Sequence, residues 1–301
     1  MYHYVRDLPN TRFPAIKGML TSDFAQQVEQ LRVRYEMATL DSALAFLAGE
    51  YRPERALCLL TFDDGLADHY TEVFPILQRH KIQGLFFITT SCTEDGVVAD
   101  VHKNHFLMAE LPFSDYRERF MRRLTDFVDG PVAMPDQAVA VKKYRWDTPD
   151  VAVFKYLLNF GLAESVRSRV LSALFGDVFG DEATFSRGLY LSWGQAQEMQ
   201  AGGMVLGGHS NAHRVLTDLG GPEEQADLTK CAMILKTRTL PQALWPFSYP
   251  FGHAESFNDR TIDLLREVGF ECAFTTFTGP NESGVDRFRI HRIDPKDLPT
   301  S

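Results

Sequence analysis

Ala56-Leu57-Cys58-Leu59-Leu60-Thr61-Phe62-Asp63-Asp64-Gly65 is an apolar run that ends in two adjacent carboxylates and a glycine. Continuous apolar character without polar alternation suits a parallel strand buried on both faces. The C-terminal end of such a strand is where α/β folds place their sites. Neighbouring carboxylates there are costly unless something positive holds at least one of them. Taken alone, the stretch also fits an ordinary Asp-Gly turn with an exposed acid.

Four more apolar runs have the same character: Gly84 to Thr90, Met204 to Gly208, Leu244 to Tyr249 and Cys272 to Phe277. Amphipathic segments lie between them. Ser22 to Tyr35 carries Phe24, Val28, Leu31 and Tyr35 at helical spacing, and Asp68 to His80 carries Tyr70, Val73, Phe74 and Leu77. Ser192 with Gln195 three residues on forms a capping-box pattern for a helix to Ala201, and Asn258 can cap a helix over Thr261 to Val268. Strands alternating with helices predict βα units and a parallel sheet or barrel. The middle breaks this rhythm. From Thr93 to Gly188 only helical stretches appear (Ser114–Phe127, Asp150–Phe160, Glu164–Phe175), with a loop from Val128 to Thr148. Residues 93–188 are therefore expected to be a helical insertion within one barrel domain spanning 1–301, placed over its functional end.

The chain has 301 residues, a length one α/β barrel can use as a single unit. Its net charge of -9 and lack of a long basic block argue against a phosphate-backbone partner, so no nucleic acid is expected. No apolar stretch is long enough to span a bilayer. The opening Met1-Tyr2-His3-Tyr4-Val5-Arg6-Asp7 has neither a basic n-region nor an apolar h-region, so no signal peptide is read; if the chain is full length, a cytoplasmic location is expected. The four cysteines, Cys58, Cys92, Cys231 and Cys272, form no CxxC pair and read as small buried hydrophobes.

Two further clusters follow apolar strands. In Gly207-Gly208-His209-Ser210-Asn211-Ala212-His213, histidines four apart project to one side if the backbone coils into a helical turn. A lone HxxxH is usually surface or core histidine. At a strand end, in a chain that also has Asp-Asp at a strand end, it reads as a metal site. Two His and one carboxylate leave positions for water and substrate, the pattern of a catalytic centre. In Phe247-Ser248-Tyr249-Pro250-Phe251-Gly252, Pro and Gly fix a stiff loop whose N–H groups could face a substrate oxygen.

TFDDG, HSNAH and SYPFG, in this order and each after a strand, resemble the signature of the polysaccharide deacetylase family (NodB homology, carbohydrate esterase family 4). Tyr2-His3-Tyr4-Val5 looks like the YHxV start of one branch, and the resemblance covers residues 1–92 and 189–293. It implies an α/β fold, a distorted TIM-like (β/α) barrel of seven strands, and a metal-dependent hydrolase that removes the N-acetyl group of an amino sugar. Asp63 matches the general base. Asp64, His209 and His213 match the ligands of one divalent metal, with zinc expected first and cobalt, manganese or nickel as alternatives. Phe251 stands where the family usually has Tyr and would offer its backbone N–H to the oxyanion.

Two positions depart from the pattern. Ser248 stands where many members have the Arg that orients the base, and Arg292 is the candidate to serve instead. The usual LxH general acid has no clean match. His291 lies in about the right region, but His3 matches the permuted arrangement of exported poly-N-acetylglucosamine deacetylases and is preferred. Tyr249, Trp193 and His253 are candidates to face the sugar. His69 is expected to pack near the site, and His80, His102 and His105 to be solvated or structural. The expected partner is an N-acetylated sugar: polymer, oligosaccharide or precursor. Hydrolysis of another non-peptide C–N amide bond, or a silent carbohydrate-binding role, are the rival readings.

Overall fold

The structure, a computed structural model, describes residues 1–145 and 147–298. Two short pairs flank the main sheet: β1 (Val5–Arg6) with β2 (Met19–Leu20), and β3 (Glu36–Met37) with β4 (Leu57–Cys58), both parallel. The main sheet is formed by β5 (Leu60–Phe62), β6 (Gly84–Ile88), β7 (Val205–Gly208), β8 (Pro246–Ser248), β9 (Cys272–Thr278) and β10 (Ile290–Arg292). All six are parallel and lie side by side in chain order. The result is an α/β fold built on a six-stranded, all-parallel sheet.

The five apolar runs of the sequence are β4–β5, β6, β7, β8 and β9. Every residue of β6 is buried, and its side chains alternate between two cores. Phe86 and Ile88 pack with Phe62, Leu206 and the flanking helices, while Leu85 and Phe87 pack with Phe274, Ile290, Leu40 and Leu47. Gly207 is required where β7 passes its neighbours, since a Cβ there would stand 2.5 Å from the Pro246 carbonyl oxygen. The sixth strand, β10, has no apolar run of its own: two of its three residues are His291 and Arg292.

The seventh strand implied by the family resemblance is absent from this sheet among the described residues. At that place Tyr2 forms a single parallel bridge to Phe62. Tyr2 N–H donates to Thr61 O at 2.8 Å, Asp63 N–H donates to Tyr2 O at 2.9 Å, and the Met1 nitrogen reaches Ile293 O at 2.8 Å. The first residues thus lie between the ends of β5 and β10, which sets His3 beside Asp63.

The chain divides into two packed units: Met1–Thr11, Lys17–Val97 and the chain from Ser186 onward in one, Arg12–Ile16 and Val98–Phe185 in the other. The second unit is helical, with Asp100–Glu110, Phe113–Leu124, Gln137–Lys143, Pro149–Tyr156 and Glu164–Phe179. Its core is aromatic: Tyr116, Phe120 and Phe154 meet edge to face, as do Phe106 and Phe185. Buried Lys103 is held there by Ser172 at 2.8 Å and Glu182 at 3.0 Å. The expected loop from Val128 to Thr148 contains the helix Gln137–Lys143, capped by the Asp136 carboxylate, which accepts from Val139 N–H at 3.0 Å. Among the described residues no helix is long and apolar enough to cross a membrane.

Candidate active site

Each of the three motifs ends a strand of the main sheet, so the parallel order collects them at one end. Asp63 and Asp64 follow β5, His209 follows β7, and Phe251 lies three residues after β8. Asp64 turns off the strand with φ 78° and Gly65 with φ 64°, a left-handed turn that sends the two carboxylates in different directions.

Asp64 meets the two histidines. Its Oδ1 lies 3.4 Å from His209 Nε2 and 3.3 Å from His213 Nε2, with all three side chains buried. One carboxylate oxygen and two imidazole nitrogens, all within 4.8 Å of one another, form a donor set that fits a divalent metal. Metal–ligand bonds of about 2.0–2.1 Å in tetrahedral array place ligand atoms about 3.4 Å apart, which matches the carboxylate-to-imidazole spacing. His209 is also locked in the tautomer a metal requires. Its Nδ1 lies 2.7 Å from the Ser248 carbonyl oxygen, which can only accept, so Nδ1 carries the proton and Nε2 presents its lone pair.

The expected helical turn between the histidines is not what brings them together. Residues 209–213 form a loop with two left-handed residues, Ser210 (φ 60°) and His213 (φ 54°). His213 N–H donates to Ser210 Oγ at 2.9 Å, and the rings of His209 and His213 stand 4.9 Å apart.

Asp63 faces the other way, onto Arg292. The guanidinium donates twice, Nη1 to Oδ1 and Nη2 to Oδ2, each at 2.8 Å. Nη2 also donates to Ser248 Oγ at 3.0 Å and Nε to Thr275 O at 2.7 Å. Arg292 and Asp63 are both buried. Burial by itself would raise the Asp63 carboxyl; the charge of Arg292, helped by His209 and His3, outweighs it and holds the group below the usual carboxylate range. Asp63 is thus an ionised acceptor with a fixed orientation.

His3 is placed 4.0 Å from Asp63, Nε2 to Oδ2, with 48% of its side chain exposed against 3% for Asp63. His69, expected only to pack nearby, is fully buried between Phe62 and Phe86, and its Nε2 lies 3.0 Å from the His3 carbonyl oxygen. His291 is not brought to this cluster. Strand alternation puts it on the opposite face of β10 from Arg292, against the Phe277 ring at 5.8 Å.

The three aromatic and histidine candidates for sugar contact separate. Tyr249 belongs to the core: it is fully buried, stacks on Phe257 at 3.9 Å and donates its hydroxyl to Phe288 O at 3.0 Å. Trp193 packs against the core and donates Nε1–H to Glu94 at 2.7 Å, so its polar edge is already engaged. His253 is exposed, 3.0 Å from Glu255, with its ring 6.4 Å from Phe251. Phe251 is 42% exposed, and its ring lies 5.2 Å from the His213 ring. Phe251 and Gly252 both have φ 63°, which turns the loop sharply after β8. The sequence reading missed Asp227, whose carboxylate accepts from the N–H groups of Asn211 and Ala212; it lies 14 residues beyond His213, and no local pattern marks it.

The sequence pattern of the polysaccharide deacetylase family matches residues 50–120 and 166–273, more than half of the chain. Among solved structures, the chain is similar to IcaB from Ammonifex degensii, with 22% identity and a TM-score of 0.58 over 98% of this chain and 91% of that one. It is similar to the Streptococcus pyogenes deacetylase PplD in complex with acetate, with 15% identity and a TM-score of 0.59 over 97% and 89% of the two chains. For the BpsB deacetylase domain from Bordetella bronchiseptica the values are 18% and 0.54 over 97% and 94%. At these identities the likeness is one of fold. No curated protein sequence matches the chain.

Proposed function

Since the chain belongs to the polysaccharide deacetylase family, we propose that it hydrolyses the N-acetyl group of an amino sugar to acetate and a free amine, using one divalent metal held by Asp64, His209 and His213. The observation that carries this reading is the buried Asp63–Arg292 fork set directly beside that donor set. A divalent ion there, zinc first among zinc, cobalt, manganese and nickel, would supply Lewis acidity and lower the pKa of water from near 16 to about 7.

The protein's own residues supply the rest. Asp63 is the base that takes the proton of the attacking water. Each of its oxygens accepts one hydrogen bond from Arg292 and keeps a further lone pair for that proton. Arg292 takes the orienting role that the family gives to the position occupied here by Ser248, and Ser248 remains as its hydroxyl partner. The Phe251 N–H is assigned to the oxyanion. His3, half in solvent and 4.0 Å from Asp63, is assigned to protonate the leaving amine, which is too basic to depart as an anion. His253 stands at the rim, where a sugar could meet it. Residues 93–188 are read as a helical insertion within a single barrel domain; the family match skips 121–165 inside them.

The test is acetate release from a panel of N-acetylated sugars by metal-loaded wild type and Asp63→Asn. Release that collapses in the variant while its metal content is retained supports both the reaction and the base. A metal-loaded wild type that releases acetate from none of them overturns the proposal.

A further inference from the structure

The two histidine ligands are joined by a loop that is expensive to hold. Ser210 and His213 sit in the left-handed region without being glycine, a conformation costing about 1–3 kcal/mol each, which persists only where the surroundings over-determine it. Several bonds hold the loop from the β6 side. Thr90 N–H donates to Ser210 O at 3.2 Å, Ser91 N–H to Asn211 O at 3.0 Å, and Thr90 Oγ1 to Asn211 Oδ1 at 3.1 Å. These fix carbonyls and one side chain. The N–H groups of Asn211 and Ala212, midway between the ligands, turn to the other side and meet a single carboxylate. Asp227 Oδ1 accepts from Asn211 at 2.8 Å and Oδ2 from Ala212 at 3.0 Å. Asp227 lies on the helix Gly221–Arg238, whose Leu228, Cys231 and Leu235 are fully buried in the core. The carboxylate is therefore fixed to the barrel and not to the loop it grips.

We infer that Asp227 is a positioning residue for the metal centre: by capturing two successive backbone N–H groups it sets the loop that aims His213 at Asp64. The inference rests on the proposed metal site and deepens it. Two adjacent N–H donors need two acceptor oxygens, which a carboxylate offers and an amide does not. An amide at this place turns one of its own N–H groups toward a backbone N–H, so even the isosteric Asn displaces the loop. Outer-shell partners of this kind typically change metal affinity by 10- to 100-fold.

The experiment is zinc affinity by competition with a chromophoric chelator for wild type, Asp227→Asn and Asp64→Asn, with thermal unfolding of each metal-free protein. Expected for Asp227→Asn is a dissociation constant 10- to 100-fold higher than wild type, with the metal-free melting temperature within a few degrees of it. An Asp227→Asn protein that binds zinc as tightly as wild type overturns the inference, whatever its melting temperature, because a merely structural carboxylate would move stability and not affinity. If Asp227→Asn does not fold, Asp227→Glu decides: it keeps both acceptors but moves them by one methylene, so weakened zinc binding supports the inference and unchanged binding overturns it. A wild type that binds no zinc, like Asp64→Asn, fails the metal site itself and is distinguished from failure at Asp227.

Discussion

Asp63 and Arg292 meet through two 2.8 Å hydrogen bonds where water hardly reaches, whereas His3 stands 4.0 Å from the same carboxylate with about half of its side chain in solvent. The contrast runs through the site. On the buried side, each group has a partner that fixes it: Arg292 for Asp63, the Ser248 carbonyl for His209, Ser210 Oγ for the His213 backbone. On the open side, His3, Phe251 and His253 face solvent. Groups that must be in place before a substrate arrives benefit from pre-organisation, because they then need no reordering during reaction. A group that must meet the leaving atom can close its distance when substrate displaces water.

The sharpest way to break this contrast is Arg292→Met, which removes the guanidinium and leaves the Asp63 carboxylate buried without it. Uncompensated buried charges of this kind cost about 3–5 kcal/mol. Urea unfolding at neutral pH should show a loss in that range, and Arg292→Lys should recover only part of it, since Lys cannot make the two-pronged contact. A loss below about 1 kcal/mol would mean that the buried side is not held by this pair.

His69 belongs to the buried side but acts on the open one, since it grips the backbone of His3. Burial keeps its pKa down, from 6.5 to about 4, so it is a neutral donor in the folded protein. The unfolded chain takes up a proton near 6.5 that the folded chain refuses, so stability is fullest above 6.5 and is lost as pH falls toward 4. The shift corresponds to roughly 3 kcal/mol. His69→Gln keeps a donor without the titration. The unfolding free energy of wild type minus that of His69→Gln should therefore fall by about 2.5 kcal/mol between pH 7.5 and 4.5; a flat difference would show that His69 does not titrate out of register with the unfolded state.

The same division separates what the sequence revealed from what it hid. Asp63, Asp64 and His209 were legible because they directly follow apolar runs, and a buried parallel strand has few other ways to look; His213 was legible by its four-residue spacing from His209. Their partners were not. Arg292 was only a candidate substitute, because β10 is three residues long with a His and an Arg in it and carries no apolar signature. Asp227 contacts the loop through a helix that starts eight residues after His213 and was not recognised, its buried positions being mixed with charges. The helical turn expected for HSNAH followed from spacing alone; the left-handed Ser210 and the bonds to Thr90, Ser91 and Asp227 decide the real path. Spacing reports which residues can be neighbours along one element, whereas these contacts span tens to hundreds of residues.

On the open side the effect should be on turnover rather than on stability. His3→Gln is expected to lower kcat by about 10²-fold, the lower end for loss of a general acid, with KM changed little and the unfolding free energy unaffected. Steady-state rates of acetate release against substrate concentration measure this. A variant with unchanged kcat would remove His3 from the reaction and leave the buried side without an acid.

Tyr249 gives the smallest effect and the cleanest separation of the two sides. Its place beside Pro250 and Phe251 suggests a sugar-facing ring, yet the ring lies flat on Phe257 and the hydroxyl donates to Phe288 O, both away from solvent. Tyr249→Phe keeps the stacking and deletes one hydrogen bond, leaving a carbonyl acceptor to fend for itself, which costs about 1 kcal/mol. Because the ring stays in the core, KM for any N-acetylated sugar should not move. A rise in KM with stability unchanged would reverse the assignment and place Tyr249 on the open side, since only a side chain that touches substrate can change binding without changing the fold.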